Sequence, residues 1–266
     1  MLSANPFATL AETVSPIYMQ SFVILMLALI VIGTLLDIIH KKNVKYFFEN
    51  AKKAKLSATK TLSTGEKISV ISKTIVSDIA TTSELGAGKR RVAHLLGMYG
   101  TILFWTGSVI MIFCYSSPSS DTPSYWPIIW HVGAIMTVVG GSWFWFFLRV
   151  DVYSEAHPWY RIIKADLFVL ALIASSLFGL IWSCLQSLNL NDRWDDKVFL
   201  VLYIISNFVL FGGVYWSKFA HMFYKPGASI QKNLAEADGS RDNLPPPADA
   251  PEQYGLGIDR EKAKHY

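Results

Sequence analysis

Cysteine is scarce in this chain. Only Cys114 and Cys184 occur among 266 residues. Zinc fingers and iron–sulfur clusters draw on about four protein ligands, so a self-contained cluster protein is excluded. Both cysteines fall at the ends of long apolar runs. A disulfide between them is chemically feasible, but a free Cys packed as a small hydrophobe is the favoured reading.

Charge is missing where a pump would need it. Five apolar runs, 17–39, 94–115, 126–148, 166–185 and 198–216, carry no ionisable acid or base near their centres. Transporters usually place such residues, or broken helices, at the membrane midplane. Asp37 and Asp166 lie at the ends of their runs instead, and five runs give no matching halves. A transporter is therefore disfavoured. Basic residues are absent before the first run, which is unlike the start of a cleavable signal peptide, so that run is expected to be retained as a helix. No basic stripe of the kind that binds nucleic acid accompanies the net charge of +4.

Each run has the roughly 20 apolar residues that a helix needs to cross a bilayer. The fold class expected is an all-α integral membrane protein, a five-helix transmembrane bundle. Lys and Arg retained on the inner side fix its orientation. The segment 41–91 holds twelve of them, from Lys41 to Arg91, whereas the loop 116–125 has none. Arg149, Arg161 and Lys164 mark a second inner turn, and Lys218 and Lys225 restart the basic residues after the fifth run. The N-terminus is thus expected outside (periplasmic) and the C-terminus inside (cytoplasmic). The chain divides into 1–40 with the first span, an inner segment 41–91, a four-helix region 92–226 and a tail 227–266.

The two soluble parts differ. In the inner segment Ile68, Ile71, Ile75, Val76 and Ile79 recur at helical spacing, which predicts an amphipathic helix on the inner surface. The tail is rich in Pro, Asp, Glu and Ala, with Pro245, Pro246 and Pro247 in a row. It is expected to be extended or disordered unless a partner orders it. Tyr254, Ile258 and Tyr266 are its candidate apolar docking anchors.

Histidine is the remaining source of chemistry. On the expected topology His40, His94, His157 and His221 lie on the inner side, His131 near the outer face and His265 in the tail. Two imidazoles at one depth on facing helices can ligate a haem iron. His94, with Gly97 and Thr101 on its helix face, and His221, four residues after Ser217 and eight after Gly213, meet that condition best. Arg90, Arg91 and Lys218 stand where haem propionates would need cations. The same small residues equally suit close helix contacts, with both histidines merely at the water interface. Spacing leaves the two readings open.

The run from Ile75 to Ala80, then Lys89-Arg-Arg-Val-Ala-His94, and the sequence Ser217-Lys-Phe-Ala-His-Met-Phe-Tyr-Lys-Pro226 resemble cytochrome b subunits of respiratory nitrate reductase and heterodisulfide-reductase-like complexes. More closely, Trp130-His131, the stretch Gly140 to Asp151, Lys164 to Phe168 and the ending from Leu244 through Tyr254 to Tyr266 are similar to membrane anchors of adenylylsulfate (APS) reductase. The resemblance implies one haem b on His94 and His221. It also implies the alpha and beta subunits of APS reductase as cytoplasmic partners, sulfite oxidation with AMP as their reaction, quinone as electron acceptor, and the bacterial cytoplasmic membrane as location. The alternative is a cofactor-free structural tether for a cytoplasmic oxidoreductase.

A second, outer haem is not expected, because the positions that would hold its ligands are Tyr203 and Phe104. His131 is then better read as a helix–helix hydrogen-bond partner than as a ligand. The aromatic cluster from Trp143 to Phe147 could contact quinone, but an interfacial anchor is the stronger reading.

Overall fold

The computed structural model describes residues 2–85, 88–149, 158–188, 190, 193–217, 219, 221–240, 253–254 and 258–259. Nine α-helices dominate them: α1 (Pro6–Leu10), α2 (Pro16–Lys41), α3 (Asn43–Leu56), α4 (Thr64–Thr74), α5 (Lys89–Cys114), α6 (Tyr125–Trp143), α7 (Leu167–Ser187), α8 (Trp194–Gly212) and α9 (His221–Ala237). The strands β1 (Gln253–Tyr254) and β2 (Ile258–Asp259) pair antiparallel. Four helical stretches, Pro16–His40, Lys89–Cys114, Tyr125–Leu148 and Lys164–Ser187, are long and apolar enough to cross a membrane. The multi-pass membrane character read from the sequence is therefore present in the fold.

α5 to α8 pack in chain order, each on the next, and α2 leans on α8 and α5. Between lipid-compatible helices the closeness of approach is set by small residues. A Cβ on Gly100 would sit 2.6 Å from the Thr137 nitrogen, one on Gly133 2.5 Å from the Phe104 nitrogen, and one on Gly140 2.6 Å from the Gly97 nitrogen. The backbones of α5 and α6 touch at these points. Trp130, Phe104, Trp182 and Met111 fill the bundle toward α1, whereas Leu210, Phe211, Val214 and Phe219 fill it toward α9.

Two buried polar devices join the elements. His131 bonds through Nδ1 to the Pro127 carbonyl at 2.7 Å and through Nε2 to Ser183 Oγ at 2.8 Å, tying α6 to α7. This is the helix–helix role expected of it. A carbonyl can only accept, so Nδ1 carries the proton and a neutral ring accepts from the Ser183 hydroxyl. Arg149 is 0% exposed. It donates to the carbonyls of Pro158 and Arg161 and to the Asp166 carboxylate, and its guanidinium lies 4.2 Å over the Trp145 ring. Arg149 therefore staples the connection between α6 and α7. In the aromatic cluster, Trp145 is the buried support for that staple, while Phe146 and Phe147 are exposed. Both cysteines are free.

Two expectations are corrected. The last apolar run does not continue to Trp216, because α8 ends at Gly212 and turns follow before α9 begins. The tail is not extended from Gly227, because α9 continues to Ala237 with Pro226 inside it. The inner segment does form a helix, α4, which meets α9 through Thr74 and leaves apolar side chains exposed. A π-helical turn, Ile75–Ala80, shifts the register after α4, and Ile68 and Val76 remain 60% and 63% exposed.

Candidate functional site

Hydrogen bonds along one side of α9 explain why it folds despite Pro226. Asn233 Nδ2 donates to Thr74 Oγ1 at 2.8 Å and to Asp78 Oδ2 at 2.6 Å, and Ser229 Oγ reaches Asp78 and Glu84. Lys225 Nζ lies 2.7 Å from Glu84. Burial alone would raise the Asp78 pKa, but hydrogen bonds from Ser77, Ser83, Asn233 and Ser229 hold it at about 2. The Lys225 hydrogen bond leads in holding Glu84 below the ordinary carboxylate range. At the other end of α9 the Asp238 carbonyl accepts from the nitrogens of Thr59 and Lys60. The result is a small helical lobe of α3, α4 and α9 attached to the bundle. Tyr224 bonds it to the buried Asp37 of α2, and Arg91 Nε and the Tyr99 hydroxyl of α5 bond it to Thr81 and Ala80.

Of the predicted haem residues His94, His221, Arg90, Arg91 and Lys218, the described side chains are those of His94, Arg90 and Arg91. His94 is exposed near the start of α5. His221 begins α9, beyond the turns that end α8, so Gly213, Ser217 and His221 do not share one helix face. The side chain of His221 and all of Lys218 lie outside the described residues, as do His157, His265 and Tyr266. Arg91 is committed to the Thr81 carbonyl at 2.6 Å. A Cβ on Gly97 would meet nothing, so open space does border that residue. Between α5 and α8, however, the Trp105 ring stacks on Phe219 at 6.0 Å and lies 5.2 Å from Phe211. Among the described residues no group of three His, Cys, Asp or Glu side chains could hold a metal ion. Tyr254 and Ile258 are partners in the β1–β2 pairing, and their side chains lie outside the described residues.

The bundle offers a different site. A cavity of about 310 Å³ lies among α1, α2, α5, α7 and α8, within the range of small-molecule sites. Its wall is overwhelmingly apolar and includes Met19, Phe22 and Ile112. Leu27 and Val109, which also line it, are exposed on the outside of the bundle, so the cavity opens between α2 and α5 on a surface that would face lipid.

Few polar groups reach this wall. Ser108 Oγ donates to the Phe104 carbonyl and accepts from Trp130 Nε1. Asn207 donates to the Tyr203 carbonyl at 2.8 Å and accepts from Ser175 at 3.2 Å. Trp105 Nε1 is buried and has no hydrogen-bond partner among the described residues. A buried donor left unpaired costs roughly 1–3 kcal/mol. α1 closes the cavity from one end. Asn5 caps it by accepting from the nitrogens of Phe7 and Ala8, and Phe7 packs on Trp130 and Trp182.

Neither α1 nor Trp105 is singled out by composition or periodicity. Asn207 did leave a signal, as an amide in the middle of an apolar run. Such a group needs a partner inside the bundle. No family model, curated protein or solved structure matches the chain.

Proposed function

We propose that the chain is a membrane anchor for a cytoplasmic oxidoreductase and that its interhelical cavity takes a quinone. The observation that carries this reading is the aromatic-walled, lipid-facing cavity with the unpaired Trp105 N–H. A flat, lipid-soluble ring with carbonyl oxygens suits the apolar walls, and a turn of the Trp105 ring toward the cavity would let an oxygen accept from the indole. α8 acts as the fifth span, with the N-terminus outside and the C-terminus inside a bacterial cytoplasmic membrane, in accord with the basic residues of 41–91. The α3–α4–α9 lobe is then the cytoplasmic side, and the tail that follows it, with Tyr254, Ile258 and Tyr266, recruits a soluble enzyme there.

The resemblance to APS reductase anchors supplies the partner, a flavin- and iron–sulfur-containing enzyme that joins sulfite to AMP and releases two electrons. Those two electrons, with two protons, convert quinone to quinol. The same resemblance implies a haem b that His94 and His221 would hold as the electron path; a cofactor-free tether is the alternative. The test is photolabelling of the purified chain with an azido-quinone, followed by peptide mapping. Label on α2, α5 or α8 at the cavity, competed by unlabelled quinone, is expected. Trp105→Phe, which keeps a ring and removes the donor, should weaken binding about tenfold, as the loss of one hydrogen bond does. Uncompeted or scattered label would refute the quinone assignment.

A further inference from the structure

Lys42, with φ of 53°, is the single left-handed residue between α2 and α3. A left-handed residue ends a helix and redirects the chain, so α3 turns off the axis of α2 immediately after a stretch able to cross the membrane. Val44, Phe47, Ala51 and Ala54 of α3 are half-buried, and the helix packs on α9. Another side of α3 carries Lys45, Phe48, Lys52 and Lys55, which helical spacing gathers into one stripe. All four are exposed, Phe48 to 64%. From 41 to 60 the sequence holds seven lysines against a single acid, Glu49, and Glu49 is paired with Lys45 at 3.7 Å.

We propose that this stripe of α3 rests on anionic phospholipid headgroups of the bilayer that α2 crosses, with Phe48 inserted among the acyl chains. Charge complementarity and continuity with the span select this occupant. Lysines clustered beside a membrane-crossing helix are attracted to an anionic surface, and an aromatic ring between lysine stems is the pattern of a helix lying in the interface. The proposal depends on α2 crossing the bilayer and stands whether or not quinone binds.

The full chain, with Cys114→Ser and Cys184→Ser, is spin-labelled at Phe48→Cys or, as a control on the other side of α3, at Asn50→Cys. Each is placed in nanodiscs of phosphatidylcholine with or without phosphatidylglycerol. In phosphatidylglycerol discs the label at 48 should collide several-fold less with an aqueous nickel chelate than the label at 50, and more with oxygen. Lys45→Gln, Lys52→Gln and Lys55→Gln combined should remove that shielding. A label at 48 as open to the chelate as the control, in both discs, overturns the proposal. So does shielding that appears only when a soluble protein is added, which would give the stripe to a protein surface. An unlabelled readout guards against disturbance at position 48. The triple glutamine variant of the otherwise native chain should retain about threefold less phosphatidylglycerol relative to phosphatidylcholine on purification; an unchanged ratio overturns the proposal.

Discussion

Individual side chains carry the joints of this molecule, and their energetics can be tested singly. Arg149 is a buried cation whose partners are two carbonyls and Asp166. Removing one member of such a pair strands the other, at about 3–5 kcal/mol, whereas replacing both by apolar residues is often tolerated. Arg149→Met should therefore sharply lower the unfolding midpoint in micelles, and adding Asp166→Leu should recover much of the loss. The carboxylates of the lobe respond to acid. The folded pKa of Asp78 is about 2 and that of Glu84 is also lowered. Their ionised forms therefore favour the folded lobe at any pH above the ordinary carboxylate range, and this contribution fades as pH falls toward 2. Protease cleavage within α9 should rise on acidification through that window, and Asp78→Asn should show a weaker pH dependence. At this scale the sequence was least informative. Arg149 reads as a topology marker because Arg counts mark sidedness, but its burial depends on residues 12 and 17 positions later, Arg161 and Asp166, which periodicity does not connect.

Helices were largely legible, and their ends were not. The apolar runs from Ile17 and His94 became α2 and α5 because hydrophobic length alone defines such segments. α9 was hidden by Pro226 and Gly227, which argue for a break, and tertiary hydrogen bonds to Thr74 and Asp78 override that local preference. After α4 the π-helical turn at Ile75–Ala80 adds a residue's worth of rotation, which isoleucine spacing alone does not reveal. The fifth run continues in hydropathy beyond Gly212 although the helix does not, and that gap separates His221 from the face it was expected to share with Gly213. A dithionite-reduced minus oxidised spectrum of the purified chain tests the pair without relying on that shared face. A low-spin haem b band abolished by either His94→Ala or His221→Ala is expected, and a spectrum without the band leaves the cofactor-free tether. α9 is complete before Gly239, the residue of positive φ that follows it. Deleting 239–266 should therefore leave the lobe folded and the chain in the membrane while releasing the soluble enzyme. Co-purification undiminished by the deletion would move docking to the face of 41–91.

At the scale of the molecule, the described residues hold four helical stretches able to cross a membrane, a lobe rich in basic residues and a cavity that opens between α2 and α5. The lobe lies where a soluble enzyme can dock, and the cavity lies where a lipid-soluble carrier can enter. Orientation is checked by impermeant labelling of intact cells: a Cys at Ser119 should react, and a Cys at Ser63 or Ser240 should not. The reverse pattern would put the lobe on the wrong side for a cytoplasmic partner. The central claim is tested most directly by sulfite- and AMP-dependent quinone reduction in membranes from cells lacking this chain. Loss of the membrane-bound activity, restored by the native chain and only weakly by Trp105→Phe at limiting quinone, is predicted. Activity that stays membrane-bound and coupled to quinone without the chain would contradict the account.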